Sequence, residues 1–163
     1  MRPCTVWSNS FDRLGTTEMA RDGIYIVDLW DEILGQQGIK EYRFPFLVGD
    51  PGKSGRRTRL PVDVYYPRLK LVVEYDECQH SEAVPFFDRR IVASGITRGE
   101  QRKRYDRIRR DVLPQHGLSA LVFSYGEFEH KKSKRLKRVA SDREVIRGRL
   151  DHFLSTGRTA PHQ

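Results

Sequence analysis

The stretch Pro61–His80, PVDVYYPRLKLVVEYDECQH, decides how the chain reads. Val62 and Val64 alternate with Asp63 and Tyr65, the period of a half-buried strand. Pro67-Arg68-Leu69-Lys70 breaks the run, because proline fixes φ and offers no backbone N–H. Leu71-Val72-Val73 resumes as a buried strand, and Glu74 and Asp76, two residues apart, point to one face of it. An antiparallel hairpin brings Asp63 close to this pair. Three carboxylates ~4 Å apart repel by roughly 4 kcal/mol per pair at an effective dielectric of about 20. Such a cluster calls for a cation, a proton or wide separation. A divalent metal gives it a purpose, since hard cations take oxygen ligands.

Working outward, 163 residues suit one domain that buries about two-thirds of its unfolded surface. The formal charge of +8 and a pI near 9.7 point to a polyanionic partner, because the basic residues are clustered. The mean hydropathy is −0.66, and no apolar run is long enough to span a bilayer. MRPCTVWSNS at the start lacks the apolar stretch of a signal peptide, so the expected location is cytoplasmic, away from membranes. Cys4 and Cys78 do not make a disulfide scaffold. A zinc site on Cys78 and His80 lacks two further ligands, and His116 and His130 are isolated.

Residues 1–22 carry no period and are expected to be poorly ordered, with the folded domain over 23–154 and a flexible tail over 155–163. Gly23–Gly35 predicts a helix whose apolar stripe is Val27, Trp30 and Leu34, widened by Ile26, Leu29 and Ile33. Asp28, Asp31 and Glu32 lie among them as surface acids, one of which can face the carboxylate cluster. Ile39–Val48 predicts a strand with Pro45 at an edge or bulge. Gly49–Arg59, GDPGKSGRRTR, predicts a basic loop; a phosphate-binding GxxxxGK[ST] motif is rejected, because Leu47 stands where its first glycine belongs. Glu100–Leu113 predicts a basic helix with Tyr105, Ile108 and Val112 inward. Leu118–Tyr125 predicts a central strand, His130–Arg138 a basic loop, and Ser141–Leu154 a last helix with Ser141 and Glu144 as a capping box. The order is αβββαβα in a single α/β domain, a central mixed sheet flanked by helices.

This order and these carboxylates resemble the PD-(D/E)XK nuclease superfamily, the restriction-endonuclease-like fold. Within it the chain is most similar to the branch near the very-short-patch repair (Vsr-like) endonucleases and their uncharacterised bacterial relatives. Those relatives carry an aspartate on one strand and E-x-D-G-x-x-H at the end of the next. Here Asp63 precedes Glu74-Tyr75-Asp76-Glu77-Cys78-Gln79-His80. Their following helix reads D-x-x-R-x-x-x-L-x-x-x-G before a hydrophobic strand, and Asp106, Arg109, Leu113 and Gly117 match it ahead of LSALVFSY. The likeness spans roughly Gly23 to Leu154. Asp76 stands where the superfamily often has lysine, Glu77 replaces the glycine, and Ile26 stands where the first helix of the relatives often carries glutamate.

The resemblance implies Mg²⁺-dependent phosphodiester hydrolysis, with Mn²⁺ able to substitute. A bound divalent ion lowers the pKa of its water and neutralises charge on the scissile phosphate. Asp63 and Glu74 are the expected ligands. Asp76 is either a further ligand, direct or through water, or the group that orients the attacking water. His80 relays a proton or binds the phosphate, and Gln79 positions a water or a phosphate oxygen. The expected partner is nucleic acid, in the first place double-stranded DNA. Arg102, Lys103, Arg104, Arg107, Arg109, Arg110, Lys131, Lys132, Lys134 and Arg135 are the candidates to hold its phosphates. The competing expectation is a nucleic-acid-binding module that keeps the fold without cleaving.

Overall fold

The computed structural model describes residues 21–52, 54–76, 91–92, 94–133 and 135–156. Gln79, His80 and Lys134 lie outside the described residues, as do both cysteines. Among the described residues no helix is long and apolar enough to cross a membrane.

Residues 61–76 fold as their pattern requires. β4 (Val62–Tyr66) and β5 (Leu71–Asp76) pair antiparallel, with Val64 opposite Val73 and Tyr66 opposite Leu71. Pro67–Leu69 forms one 3-10 turn between them, and Lys70 closes it in the left-handed region at φ 48°, its N–H donated to the Pro67 carbonyl. β1 (Ile39–Tyr42) joins antiparallel on the other side of β4. β6 (Ser119–Ser124) runs parallel to β5. A parallel pair needs a crossover, which α2 (Arg98–Gln115) supplies. The mixed sheet therefore has the order β1-β4-β5-β6.

Strand alternation sorts the core into two clusters. Val64, Tyr66, Leu71, Val73 and Tyr75 face α1 (Arg21–Leu34) and α3 (Ser141–Thr156), where Ile26, Trp30, Ile146 and Phe153 close the packing. On the other face Val72 and Tyr65 meet Ile108, Val112 and Leu113 of α2. The apolar stripes expected on α1 and α2 are the buried ones.

Several expectations need correction. The run Ile39–Val48 is not one strand: Pro45 and Phe46 form a turn, and β1 ends at Tyr42. Proline removes the ladder donor, so the chain leaves the sheet there. Beyond the turn stands a separate two-stranded ribbon of β2 (Val48–Pro51) and β3 (Arg57–Arg59), in place of the loop expected over 49–59. β6 is the last strand of the sheet and not a central one. Within the expected basic loop over 130–138, His130 bridges Leu136, whose side chain is buried. Arg21 and Asp22, assigned to a loose N-terminus, open α1, and Ser155 and Thr156, assigned to the tail, end α3. Ser141 is the first residue of α3 and not its cap; Asp142 anchors that end, its carboxylate accepting from Val139 N–H and the Tyr25 hydroxyl. Thr97 caps α2 in a reciprocal box with Glu100, a T-x-x-E signal present in the sequence.

The turn after α1 shows how tight the packing is. Asp31 accepts from Gly38 N–H at 2.8 Å and from the Tyr66 hydroxyl at 2.9 Å. A Cβ on Gly38 would stand 2.2 Å from Val64 Cγ2 and 2.8 Å from the Tyr66 ring. Gly38→Ala is expected to lower stability by about 1–3 kcal/mol, the range for overpacking a filled core. Urea unfolding checks this: an unchanged midpoint would show that Val64 and Tyr66 can move aside.

Candidate functional site

Asp63 and Glu74 come together for a simple reason. The β4–β5 ladder runs as far as Val64 and Val73, and Asp63 and Glu74 are the next residues of the two strands. Residues so placed in an antiparallel pair share a face, here the face covered by α2. Asp63 is fixed by its own strand partner: its Oδ2 accepts from Tyr75 N–H at 2.8 Å. Asp76 comes next on the same face as Glu74, opposite Ser124 in the β5–β6 register.

α2 contributes the third party. Arg109, expected on the outer basic surface, is turned inward, with 19% of its side chain exposed. Its Nε lies 3.4 Å from Glu74 Oε1, and its Nη1 lies 3.1 Å from Asp106. Its Nε and Nη2 both donate to the Pro61 carbonyl, at 3.2 and 3.0 Å. The D-x-x-R spacing thus serves an arginine held by its own helix and aimed at the strands. Glu74 Oε1 is buried and has no hydrogen-bond partner, since Arg109 meets it as a charge and not in hydrogen-bonding geometry.

The electrostatics follow from burial. Desolvation pushes the Glu74 carboxyl up to about 8; Arg109 pulls it back, while Asp63, Asp76 and Asp106 push it further up. Asp63 is also raised, by burial first, against the opposing pull of the Tyr75 N–H and Arg109. Burial alone would lower Arg109, but the acids led by Glu74 raise it overall. Burial thus favours the neutral form of Glu74, and a proton there relieves the repulsion between the carboxylates.

Among the described residues no three His, Cys, Asp or Glu side chains stand close enough together to hold a metal ion. The acids of α1 do not join the site. They lie on the opposite face of the sheet, where Asp28 pairs with Lys40, Asp31 holds Gly38 and Tyr66, and Glu32 pairs with Arg143. They line a cleft of about 450 Å³ together with Gln37, Gly38 and Lys40.

The remaining basic candidates divide. Lys103, Arg104, Arg107 and Arg110 form an exposed face of α2, and Lys131 and Lys132 are exposed on the later turn. Arg102 is partly buried on α2. Arg104 is tied to Asp50 of the ribbon at 3.1 Å. Arg135 pairs with Asp22 at 3.8 Å, so the 130–138 turn spends part of its charge on α1. Arg109 stands apart from all of these: expected to hold phosphate, it is the partner of Glu74 instead, and its spacing from Asp106 and Leu113 is the signal in the sequence that distinguishes it. No family model, curated protein or solved structure matches the chain.

Proposed function

We propose that the protein is a metal-dependent endonuclease that hydrolyses phosphodiester bonds in double-stranded DNA, within a restriction-endonuclease-like fold. One observation carries this reading: Asp63 and Glu74 stand half-buried on adjacent strands, beneath a basic helix, and the Glu74 Oε1 atom is enclosed with no hydrogen bond. Burying two carboxylates among valines is unfavourable unless they have a task. Their hard oxygen donors suit Mg²⁺ or Mn²⁺, and the orphaned oxygen is the kind of atom an ion satisfies. Asp63 and Glu74 would hold the ion, with Asp76 further along the same strand as a ligand through water or as the group orienting water. The ion would supply Lewis-acid stabilisation of the phosphate and a more acidic water.

The chain's own residues do the rest. Arg109 keeps Glu74 aligned, because its guanidinium is locked on Pro61 and Asp106. The exposed cations of α2 draw the phosphate backbone over the strand ends. Gln79 and His80 come three and four residues after β5 in sequence and remain candidates for handling water, phosphate or a proton.

A second reading has its own support. Arg109 already neutralises Glu74, and Asp76 occupies the position where the superfamily often has lysine. Both features suit a DNA-binding module without cleavage. Supercoiled plasmid separates the two. With Mg²⁺ or Mn²⁺ the nuclease converts it to nicked or linear form, and EDTA stops the conversion. Salt-dependent plasmid binding without any cut at either metal would favour the binding module.

A further inference from the structure

The ribbon β2–β3 belongs to no part of the candidate site, yet it is among the most strongly charged exposed features of the fold. From Pro51 to Leu60 the chain has no acid, and Arg56, Arg57 and Arg59 are all exposed. Among the described residues none of these three side chains makes an ion pair. Elsewhere the fold pairs its cations freely, as at Lys40, Arg135, Lys137, Arg138 and Arg143. Three arginines without an ion pair are thereby concentrated on one hairpin.

The ribbon is also held, not loose. Among the described residues its strands pair only with each other, and Gly55 at φ +75° makes the tight turn at the tip, where glycine carries no steric penalty. At its base Leu60 N–H donates to the Leu47 carbonyl at 2.8 Å. Asp50 fastens it to α2 twice: its carboxylate takes Arg104, and its N–H donates to the Tyr105 hydroxyl at 3.1 Å. Gly49 permits this approach, since a Cβ there would stand 2.9 Å from the Tyr105 ring. The ribbon is thereby fixed to the helix that exposes Lys103 and Arg107.

We infer that β2–β3 is a groove-entering element: it lies in the major groove of B-form DNA, while the exposed cations of α2 track the adjacent phosphates. A two-stranded ribbon matches the ≈12 Å width of that groove, and arginine is the side chain best suited to the guanine edge within it. The occupant is duplex DNA and not duplex RNA, because the A-form major groove is too narrow to admit the ribbon. This inference rests on the DNA-directed reading above, but it concerns binding alone and needs no cleavage.

The test uses the full chain in EDTA, a fluorescein-labelled 30-bp mixed-sequence DNA duplex and an RNA duplex of the same sequence. Wild type is expected to bind the DNA at least tenfold more tightly than the RNA. R56Q/R57Q/R59Q is expected to lose most of that preference. Its plot of log affinity against log salt should flatten by between about one and three, at about 0.9 for each phosphate the variant no longer neutralises. R147Q, which removes an exposed arginine of α3, should change neither quantity. A major-groove dye such as methyl green should displace the protein, and the minor-groove binder netropsin should not. Unchanged preference and slope in the triple variant, with wild type still binding DNA, would overturn the ribbon's role and leave the nuclease proposal standing. A wild type that binds neither duplex would overturn both.

Discussion

Glu74→Gln is expected to abolish metal-dependent plasmid cleavage, by about 10³-fold or more, while the protein keeps its fold. The amide preserves the shape of the side chain and removes the charge that would hold the ion. The same substitution has a second, opposite consequence for stability. Glu74 is raised from its ordinary value of 4.5 to about 8 in the folded protein, by burial before all else. The folded state therefore binds more protons than the unfolded state between these two values. Stability contributed by the neutral carboxyl is complete below about 4.5 and is lost as pH rises through about 8. Glutamine imitates the neutral form at every pH. Wild type and variant should melt alike at pH 5, and the variant should melt higher at pH 9. Metal must displace the same proton, so Mn²⁺ affinity of the wild type should climb with pH up to about 8. Calorimetric Mn²⁺ titration, plasmid cleavage and thermal melts on the two proteins provide the measurements. A variant that cuts plasmid as fast as wild type would remove Glu74 from the chemistry.

The nearness of Asp63 and Glu74 was legible because it depends only on local pattern. Alternating valines define β4, Pro67 defines the break, and a four-residue turn closes an antiparallel pair in one register. The apolar stripes of α1 and α2 were legible for the same reason, since a helix must bury the face its sequence makes apolar. The ribbon was not, because glycine, proline and arginine in GDPGKSGRR read as loop residues. The strand pairing there depends on Gly49 accommodating Tyr105, a contact 56 positions along the chain. The direction of Arg109 was hidden by company: Arg102, Arg104, Arg107 and Arg110 surround it, and composition does not separate one inward arginine from four neighbours. Its spacing from Leu113, buried one helical turn on, placed it at the margin of the apolar face. Likewise, Asp28, Asp31 and Glu32 could be placed on α1 but not on a side of the sheet, since that depends on how the helix docks.

Arg109→Met should produce the largest loss of stability, about 3–5 kcal/mol at pH 9.5, where Glu74 is ionised, the range for removing one partner of a buried ion pair. Methionine keeps much of the aliphatic stem and removes the guanidinium. The loss has two parts that pH separates. One part is the pair of hydrogen bonds to the Pro61 carbonyl, worth about 1–2 kcal/mol and present at any pH. The other is the attraction to Glu74, which exists only while Glu74 is ionised. Without the guanidinium the folded-state pKa of Glu74 moves above about 8, so the carboxyl stays protonated over a wider range. The variant should therefore be only modestly weaker than wild type at pH 5 and much weaker at pH 9.5, as read from urea midpoints at both values. Arg109→Lys restores a charge but not the fork that grips Pro61 and Asp106 together, so it should recover part of the pH-dependent loss and little of the constant one. An equal loss for Arg109→Met at pH 5 and pH 9.5 would mean that Arg109 supports the fold through Pro61 alone. Glu74 would then be held protonated without its help, and the carboxylate pair would owe its alignment to the strands and not to α2.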